Sequence, residues 1–95
     1  MTAKYQLVRV AADGVVRAAP CRIMAVQAYG VQADWAVAFH NDVDSADGTT
    51  GLDLSGAAEG GQTFFDYSNL GGIEFTVGCY ADITVTGGII YVWIA

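Results

Sequence analysis

The residues with the most potential for chemistry lie in one polar segment, NDVDSADGTTG, at positions 41–51. It holds three closely spaced carboxylates, Asp42, Asp44 and Asp47, ahead of a glycine. Such a series is typical of calcium loops, because a hard cation takes several oxygen ligands at a tight turn. However, the spacing differs by one residue from the EF-hand pattern, and the bidentate glutamate is missing. Aspartates that bond their own backbone in turns explain the same residues, so we expect a turn without a metal.

The single histidine, His40, directly precedes this segment. A hydrolytic triad would need an activated serine or cysteine beside it, and the chain contains no GxSxG sequence. It also contains no HExxH motif, no Cys/His cluster and no phosphate-binding glycine pattern after a predicted strand. We therefore expect His40 at a solvent-accessible strand end. We also expect a protein that is not an enzyme and carries no cofactor.

The two cysteines, Cys21 and Cys79, are too few for a disulfide framework and form no CxxC pair. We interpret them as reduced thiols in the core of a protein made in the cytoplasm. A single bridge between them is the alternative.

Length and charge limit the classes of function. The chain has 95 residues, which predicts one domain spanning residues 1–95, and its formal net charge is −6. An acidic surface repels phosphate, which argues against nucleic acid and anionic membranes as partners. The first residues lack a secretory signal pattern, and no apolar run approaches the roughly 20 residues that span a bilayer. Because 54% of the residues are hydrophobic and only 15% are charged, we expect part of the apolar surface to lie against a partner.

The carboxyl-terminal stretch, residues 71–95, shows the clearest alternation of apolar and polar residues, which is typical of half-buried strands. Gly87 and Gly88 predict a two-residue hairpin turn, because both tolerate positive φ. Residues 89–95 are apolar on both faces and should lie inside the fold or against a partner chain. Gly78 separates two strand patterns and predicts a bulge or a corner where the chain changes sheets. We expect this meander to form the centre of the core.

Similar patterns upstream complete an all-β interpretation. Asp13-Gly14 is a strong hairpin signal. Residues 21–29 are compatible with a helix, because Ala, Met and Gln favour one, but their β-branched residues favour a strand. Turn signals every eight to twelve residues predict a single small antiparallel β-sandwich, or a jelly-roll-like barrel, of seven or eight short strands. The other clear strands are predicted at residues 5–12, 34–40 and 62–67.

The aromatic residues divide into two groups by predicted strand face. Those on apolar faces are predicted core residues: Trp35, Phe39, Phe65, Phe75 and Trp93. Those on the opposite faces are Tyr29, Phe64 and Tyr80, with Tyr67 as a fourth. Exposed Tyr and Phe side chains stack on sugars or fill protein interfaces. We therefore predict Tyr29, Phe64 and Tyr80 as interaction residues, although half-burial is common for a tyrosine at a strand end.

All basic residues fall in the first quarter of the chain, whereas most acids come later. This asymmetry predicts a surface that orients the domain against a partner, unless it is chance among so few residues. The basic interaction candidates are Lys4, Arg9, Arg17 and Arg22.

The order of features along nearly the whole chain is also informative. An ADG turn at 12–14 is followed by a strand after Pro20-Cys21-Arg22, then by WAVAFHN and a loop ending in DGTTGLDL. The segments QTFFDY, GGIEFTVGCYADITVTG and IIYVWIA complete it. This order resembles the small β-sandwich proteins encoded beside phage capsid genes, the head decoration or cement proteins. The resemblance rests on pattern and size, and the family has no site motif whose residues could be carried over.

The resemblance implies a structural virion protein made in the host cytoplasm. Such a protein docks on the outer face of an assembled capsid, contacts the major capsid protein and stabilises the shell. It also implies self-association, for which we expect a trimer first and a dimer second. The acidic charge agrees with an outer position, because the inner face of a capsid borders packed DNA. The alternative is a carbohydrate- or receptor-binding module of a phage tail fibre.

Overall fold

The computed structural model describes residues 5–30, 33–56, 62–85 and 87–95. These residues form an all-β domain of two antiparallel sheets packed as a small β-sandwich, which confirms the predicted fold class. One 3-10 turn, Ser68–Leu70, joins two of the strands. The nine strands within the described residues are β1 (Gln6–Val10), β2 (Gly14–Arg17), β3 (Cys21–Tyr29), β4 (Trp35–His40), β5 (Thr50–Gly56), β6 (Gln62–Asp66), β7 (Ile73–Phe75), β8 (Cys79–Thr84) and β9 (Ile89–Ile94).

The strands are divided between two sheets in an order unlike their order along the chain. Sheet A runs β1-β9-β3-β6, and β7 pairs with β3 beside β6. Sheet B runs β2-β8-β4-β5. Strand β3 is the longest, and its two halves pair with β7 and β6 on one edge while β9 covers the other edge. This confirms the predicted strand at residues 21–29 over the helix.

The core lies between the two sheets and is built from alternate residues of each central strand. In sheet A, the register places Val26 opposite Val92 and Ala28 opposite Ile90, all of them buried. In sheet B, buried residues alternate in the same way along β4 and β8. The fully buried side chains with the largest volumes include Phe39, Phe75, Ile23, Ile90, Ile94, Val26, Val37 and Val92. Each contributes on the order of 1.5–3 kcal/mol by its removal from water.

Both hairpins predicted from glycine turns are wrong. Asp13-Gly14 leads the chain from β1 in sheet A to β2 in sheet B, and Gly87-Gly88 leads it from β8 in sheet B to β9 in sheet A. Among the described strands, β4 and β5 are the only sequence neighbours that pair with each other. The predicted meander is wrong for the same reason, since β7, β8 and β9 do not pair with one another. A turn signal determines where the backbone bends, whereas burial of two apolar faces determines which strands become neighbours.

The corner predicted at Gly78 is confirmed, because the chain passes there from β7 in sheet A to β8 in sheet B. Gly78 is buried, and a Cβ atom at this position would lie 2.9 Å from two backbone carbonyl oxygens, those of Arg17 and Asp42. Asn41, which directly follows β4, holds the corner in place. Its side-chain oxygen accepts a hydrogen bond from the Val77 N–H at 2.8 Å, and its amide donates to the Thr76 hydroxyl at 2.9 Å.

Most of the predicted core aromatics are confirmed. Trp35 is 3% exposed, and its ring meets Phe65 edge-on at a centroid distance of 6.3 Å. Tyr67, predicted on a polar face, instead packs against the core. Trp93 was predicted to be buried, which is wrong: it is half-buried on the outer side of β9, outside the core cluster. Strand β9 is apolar on both faces, so its pattern could not show which face the second sheet covers.

Candidate functional site: an aromatic sheet face

The outer side of sheet A carries an unusual concentration of large apolar side chains. Because Ile90, Val92 and Ile94 point into the core, Tyr91 and Trp93 point outwards. Antiparallel pairing then brings the outward residues of β1, β3 and β6 beside them. We call this surface the aromatic face, and its large members are Tyr5, Leu7, Tyr29, Phe64, Tyr91 and Trp93.

Four rings of the aromatic face form a continuous series of contacts across three strands. Tyr29 contacts Tyr91 at a centroid distance of 6.5 Å, and Tyr91 contacts Trp93 at 6.4 Å. Trp93 meets Phe64 at 5.8 Å with their planes 77° apart. Tilted and edge-to-face contacts in this distance range are favourable. The series therefore presents an ordered surface to solvent.

Four large side chains of the aromatic face are about half exposed to solvent. Tyr5 is 47% exposed, Leu7 49%, Tyr29 48% and Phe64 55%. At about half exposure, these four side chains alone present on the order of 400 Å² of mainly apolar surface, taking about 200 Å² for a large side chain. Contiguous apolar patches of this size on a small domain commonly mark an interaction site.

A cleft of about 260 Å³ opens in the aromatic face. Buried Met24 and Ala25 line it together with the more exposed rings of Tyr5, Phe64 and Trp93. Two polar residues, Asp66 and Ser68, complete the lining. The cleft thus combines aromatic walls with a carboxylate.

Asp66 is ionised at neutral pH. Hydrogen bonds from the Ser68 hydroxyl and from the Ser68 backbone N–H, the latter at 2.9 Å, lower the pKa of this carboxyl. They do so because they favour the charged form. Among the described residues, no cation pairs with this carboxylate, so it faces solvent as a negative charge beside the aromatic rings.

The basic candidates that the structure describes, Arg9, Arg17 and Arg22, do not form one cluster. Arg9 is exposed at the β1 edge of the aromatic face. Arg22 lies on the same side of sheet A near the start of β3, 3.5 Å from the Glu74 carboxylate. Arg17 donates to the Gln6 side chain at 2.5 Å. Lys4 lies outside the described residues. Among the described residues, therefore, Arg9 is the basic candidate that lies on the aromatic face without a hydrogen-bond or ion-pair partner.

The outer side of sheet B has a different character. The register of β4 with its neighbours β8 and β5 places Ala38 between Asp82 and Asp53, so two carboxylates flank a small residue. Tyr80 also lies on this side, and it is half-buried. The predicted interaction residues therefore lie on different sheets, Tyr80 on sheet B and Tyr29 and Phe64 on sheet A. Alternation within β8 was interpreted correctly, but the pattern could not show that β8 belongs to the other sheet.

His40 was predicted to be solvent-accessible, which is wrong. It is only 9% exposed, because the following loop folds back over it. Its Nδ1 lies 3.0 Å from the Gly48 carbonyl oxygen and 3.4 Å from the Thr50 hydroxyl. A carbonyl only accepts, so Nδ1 carries the proton and donates to it. Nε2 is buried without a hydrogen-bond partner in the described part of the chain.

The Asp-rich loop forms the predicted turn. Asp42 Oδ1 accepts hydrogen bonds from the backbone N–H groups of Val43 at 2.6 Å and Asp44 at 3.3 Å, and Oδ2 accepts one from the Ser45 hydroxyl at 3.2 Å. The backbone N–H bonds, that of Asp44 foremost, lower the pKa of Asp42. Within the described ranges, no three His, Cys, Asp or Glu side chains are arranged as metal ligands.

Both cysteines are buried and free, which confirms the predicted core thiols over the bridge. Burial raises the pKa of the Cys21 thiol, and it raises that of Cys79 to about 12. Neither thiol is therefore suited to act as a nucleophile, since the thiolate is the reactive form.

The interaction residues predicted from the sequence include Tyr29 and Phe64 of the aromatic face but not Tyr5, Leu7, Tyr91 or Trp93. The signals were present in part. Along residues 5–9, Tyr5, Leu7 and Arg9 occupy alternate positions, which places them on one face of a strand. The two apolar faces of residues 89–95 indicate a second covering layer or a partner. What was missing was the pairing of β1 with β9, which joins these residues into one surface.

No family model, no curated protein and no solved structure matches this chain. None of the helices in the described segments has the length and hydrophobicity needed to cross a bilayer. Function must therefore be inferred from the surface chemistry of the sandwich, in which the aromatic face is the most distinctive feature.

Proposed function

We propose that this protein is a non-catalytic structural component of a virion, which docks through its aromatic face on the outer surface of an assembled phage capsid and stabilises it. The observation that carries the proposal is the exposure of Tyr5, Leu7, Tyr29 and Phe64 on one sheet. The order of sequence features, which resembles head decoration proteins, supports the choice of partner, the major capsid protein.

The unlike faces of the sandwich support a fixed orientation on such a partner. The aromatic face gains free energy when it is removed from water. The opposite side, with Asp53 and Asp82, is favoured in contact with solvent. A docked copy would therefore present its acidic side outwards, where like charges keep neighbouring particles apart.

The size of the aromatic face favours several linked contacts over a single one. Stable interfaces bury about 800 Å² on each partner, roughly twice the area estimated for the exposed side chains. Self-association, with a trimer first and a dimer second, would add the contributions of several copies at one symmetry axis. Size exclusion coupled to light scattering gives the mass in solution, and a monomer at micromolar concentration would contradict a stable free oligomer.

Co-sedimentation with capsids of the virus that encodes this chain tests the docking surface. Leu7→Ser removes an apolar side chain that is 49% exposed on the aromatic face. Val15→Ser removes one that is 44% exposed on the outer side of sheet B and serves as the matched control. We expect Leu7→Ser, and more strongly Phe64→Ser, to weaken binding while Val15→Ser leaves it unchanged. Equal binding by all three variants would contradict docking through this face.

The cleft favours a second candidate, a carbohydrate- or receptor-binding fibre module. Aromatic rings beside Asp66 and Ser68 offer both stacking and hydrogen bonding to a sugar. Against it, the ring planes are 42° to 77° apart and form no flat platform for an extended glycan. Specific binding on a glycan array, lost in Trp93→Ala and without affinity for capsids, would replace the first proposal with this one.

A further inference from the structure

The cleft in the aromatic face has the chemistry of a site for a cation. Resting on the proposed docking function, we infer that this cleft receives an arginine side chain presented by the partner, with Asp66 pairing the guanidinium and Trp93 stacking on it, while the nearly perpendicular Phe64 ring forms a side wall. The contacted surface of the partner must therefore present an arginine opposite this cleft.

The aromatic lining is the first observation behind this inference. Trp93 and Phe64 meet nearly perpendicularly at 5.8 Å, and Tyr5 lies on the same cleft. A cation within about 6 Å of a ring centroid is attracted by the negative π-face, most strongly for Trp. The planar guanidinium of arginine also stacks on rings in a way that a lysine ammonium does not.

The carboxylate is the second observation. Asp66 lines the same cleft, and the register places it beside Ala25, whose other cross-strand neighbour is Trp93. Asp66 has no cationic partner among the described residues, since Arg22 is paired with Glu74 and Arg9 lies at the far edge of sheet A. An arginine supplied by the partner would neutralise this charge, because its guanidinium group can donate two parallel hydrogen bonds to a carboxylate.

Size and overall charge agree with a side chain as occupant. The cleft volume, about 260 Å³, is below the roughly 300–1,000 Å³ of pockets that hold drug-sized ligands. The net charge of −6 favours cationic over anionic groups at the surface. Buried Met24 and Ala25 at the cleft provide apolar contact for the methylene stem of arginine.

An NMR titration of the ¹⁵N-labelled protein tests the inference. The probes are N-acetyl-arginine methylamide, its citrulline analogue, which is a neutral isostere, and methyl glucoside. We expect saturable shifts at the amides of Ala25, Phe64 and Ser68 and at the Trp93 indole with the arginine probe. The citrulline probe should bind about tenfold more weakly, because a hydrogen bond to a charged group contributes more than a neutral one.

Two variants that each remove one negative charge distinguish the effect of the cleft carboxylate from the effect of the protein's net charge. Asp66→Asn should weaken binding of the arginine probe about tenfold, and its amide oxygen can still accept the Ser68 N–H that orders the turn. Asp53→Asn, on the outer side of sheet B, should leave binding unchanged. Equal binding of the arginine and citrulline probes, saturation by methyl glucoside alone, or no saturable shifts with any probe would each overturn the inference.

Capsid binding by the same variants tests the partner arginine separately from docking on the capsid. Loss of capsid binding in Asp66→Asn, with Asp53→Asn unaffected, would support both. Wild-type capsid binding by Asp66→Asn, despite loss of the arginine probe, would overturn the partner arginine and leave docking intact. Binding of the probe by a protein with no affinity for capsids would support the cleft chemistry and overturn the capsid as partner.

Discussion

At the scale of single residues, the polar groups of this protein mainly maintain structure. Asp42 orders the loop that covers His40, and Asn41 holds the corner at Gly78. Cys79 is a buried thiol in the core. Asp66 orders the turn at Ser68, and its charge also lies beside exposed aromatic rings without a cationic partner in the described part of the chain.

The Cys79 thiol should resist alkylation and should make stability depend on alkaline pH. Its pKa of about 12 in the fold exceeds the ordinary 9.0. Between these values the unfolded chain binds fewer protons than the folded one, so the free energy of unfolding falls as pH rises from 9 to 12. Below pH 9 both states are protonated and this dependence disappears. Urea titrations between pH 9 and pH 12 measure this decrease in the free energy of unfolding. Cys79→Ala is the control, because it lacks the thiol and should lose the part of the decrease that the thiol causes.

Rapid modification of the folded protein by iodoacetamide at pH 8, as fast as in urea, would show that the thiol is accessible and contradict its burial.

Calcium should have little effect on stability, because the carboxylate of Asp42 already accepts hydrogen bonds from its own loop. A ligand that binds only the folded state raises the melting temperature. We therefore expect an unchanged melting temperature in millimolar calcium, measured by differential scanning fluorimetry with magnesium as the control ion. A rise that Asp44→Asn abolishes would instead establish a calcium site.

At the scale of elements, β9 explains both the core and the aromatic face. It lies between β1 and β3, with Ile90, Val92 and Ile94 directed inwards and Tyr91 and Trp93 directed outwards. Its inner side is covered by sheet B, whereas its outer side is covered by no other described strand. The same strand therefore contributes to stability through one face and offers a binding surface through the other.

The two tryptophans should differ in their effect on stability. Trp35→Ala removes a buried ring and should cost about 3–5 kcal/mol in the free energy of unfolding. Trp93→Ala removes a half-buried ring from the aromatic face and should cost about 1–2 kcal/mol, because less area leaves water on folding. Urea denaturation of both variants measures the difference. An equal loss in the two variants would show that Trp93 belongs to the core.

At the scale of the whole molecule, the sandwich has one aromatic and one acidic side, and its strands are connected mainly by crossings between the sheets. Each crossing ties the two layers together, so the aromatic face is supported by the whole core. A rigid surface loses little conformational entropy on docking. This property suits the proposed role of holding neighbouring capsid subunits in place.

Occupied particles should release their DNA at a higher temperature than bare ones. A protein that binds only the closed shell lowers the free energy of that state. Release can be followed with a DNA-binding dye during heating, and particles incubated with Phe64→Ser provide the control. Equal release temperatures at full occupancy would contradict stabilisation and leave a display or adhesion role on the capsid surface.

The sequence by itself determined the strands, the turn at Asp42 and the corner at Gly78, because alternation and turn chemistry are local properties of the chain. It also identified Tyr29 and Phe64 as outward residues. Only the tertiary structure decided that the Asp13-Gly14 and Gly87-Gly88 turns join different sheets, that Tyr80 lies on the opposite side, and that Trp93 faces solvent. These features depend on which distant strands pair, and pairing is decided by burial of the common core rather than by any local pattern.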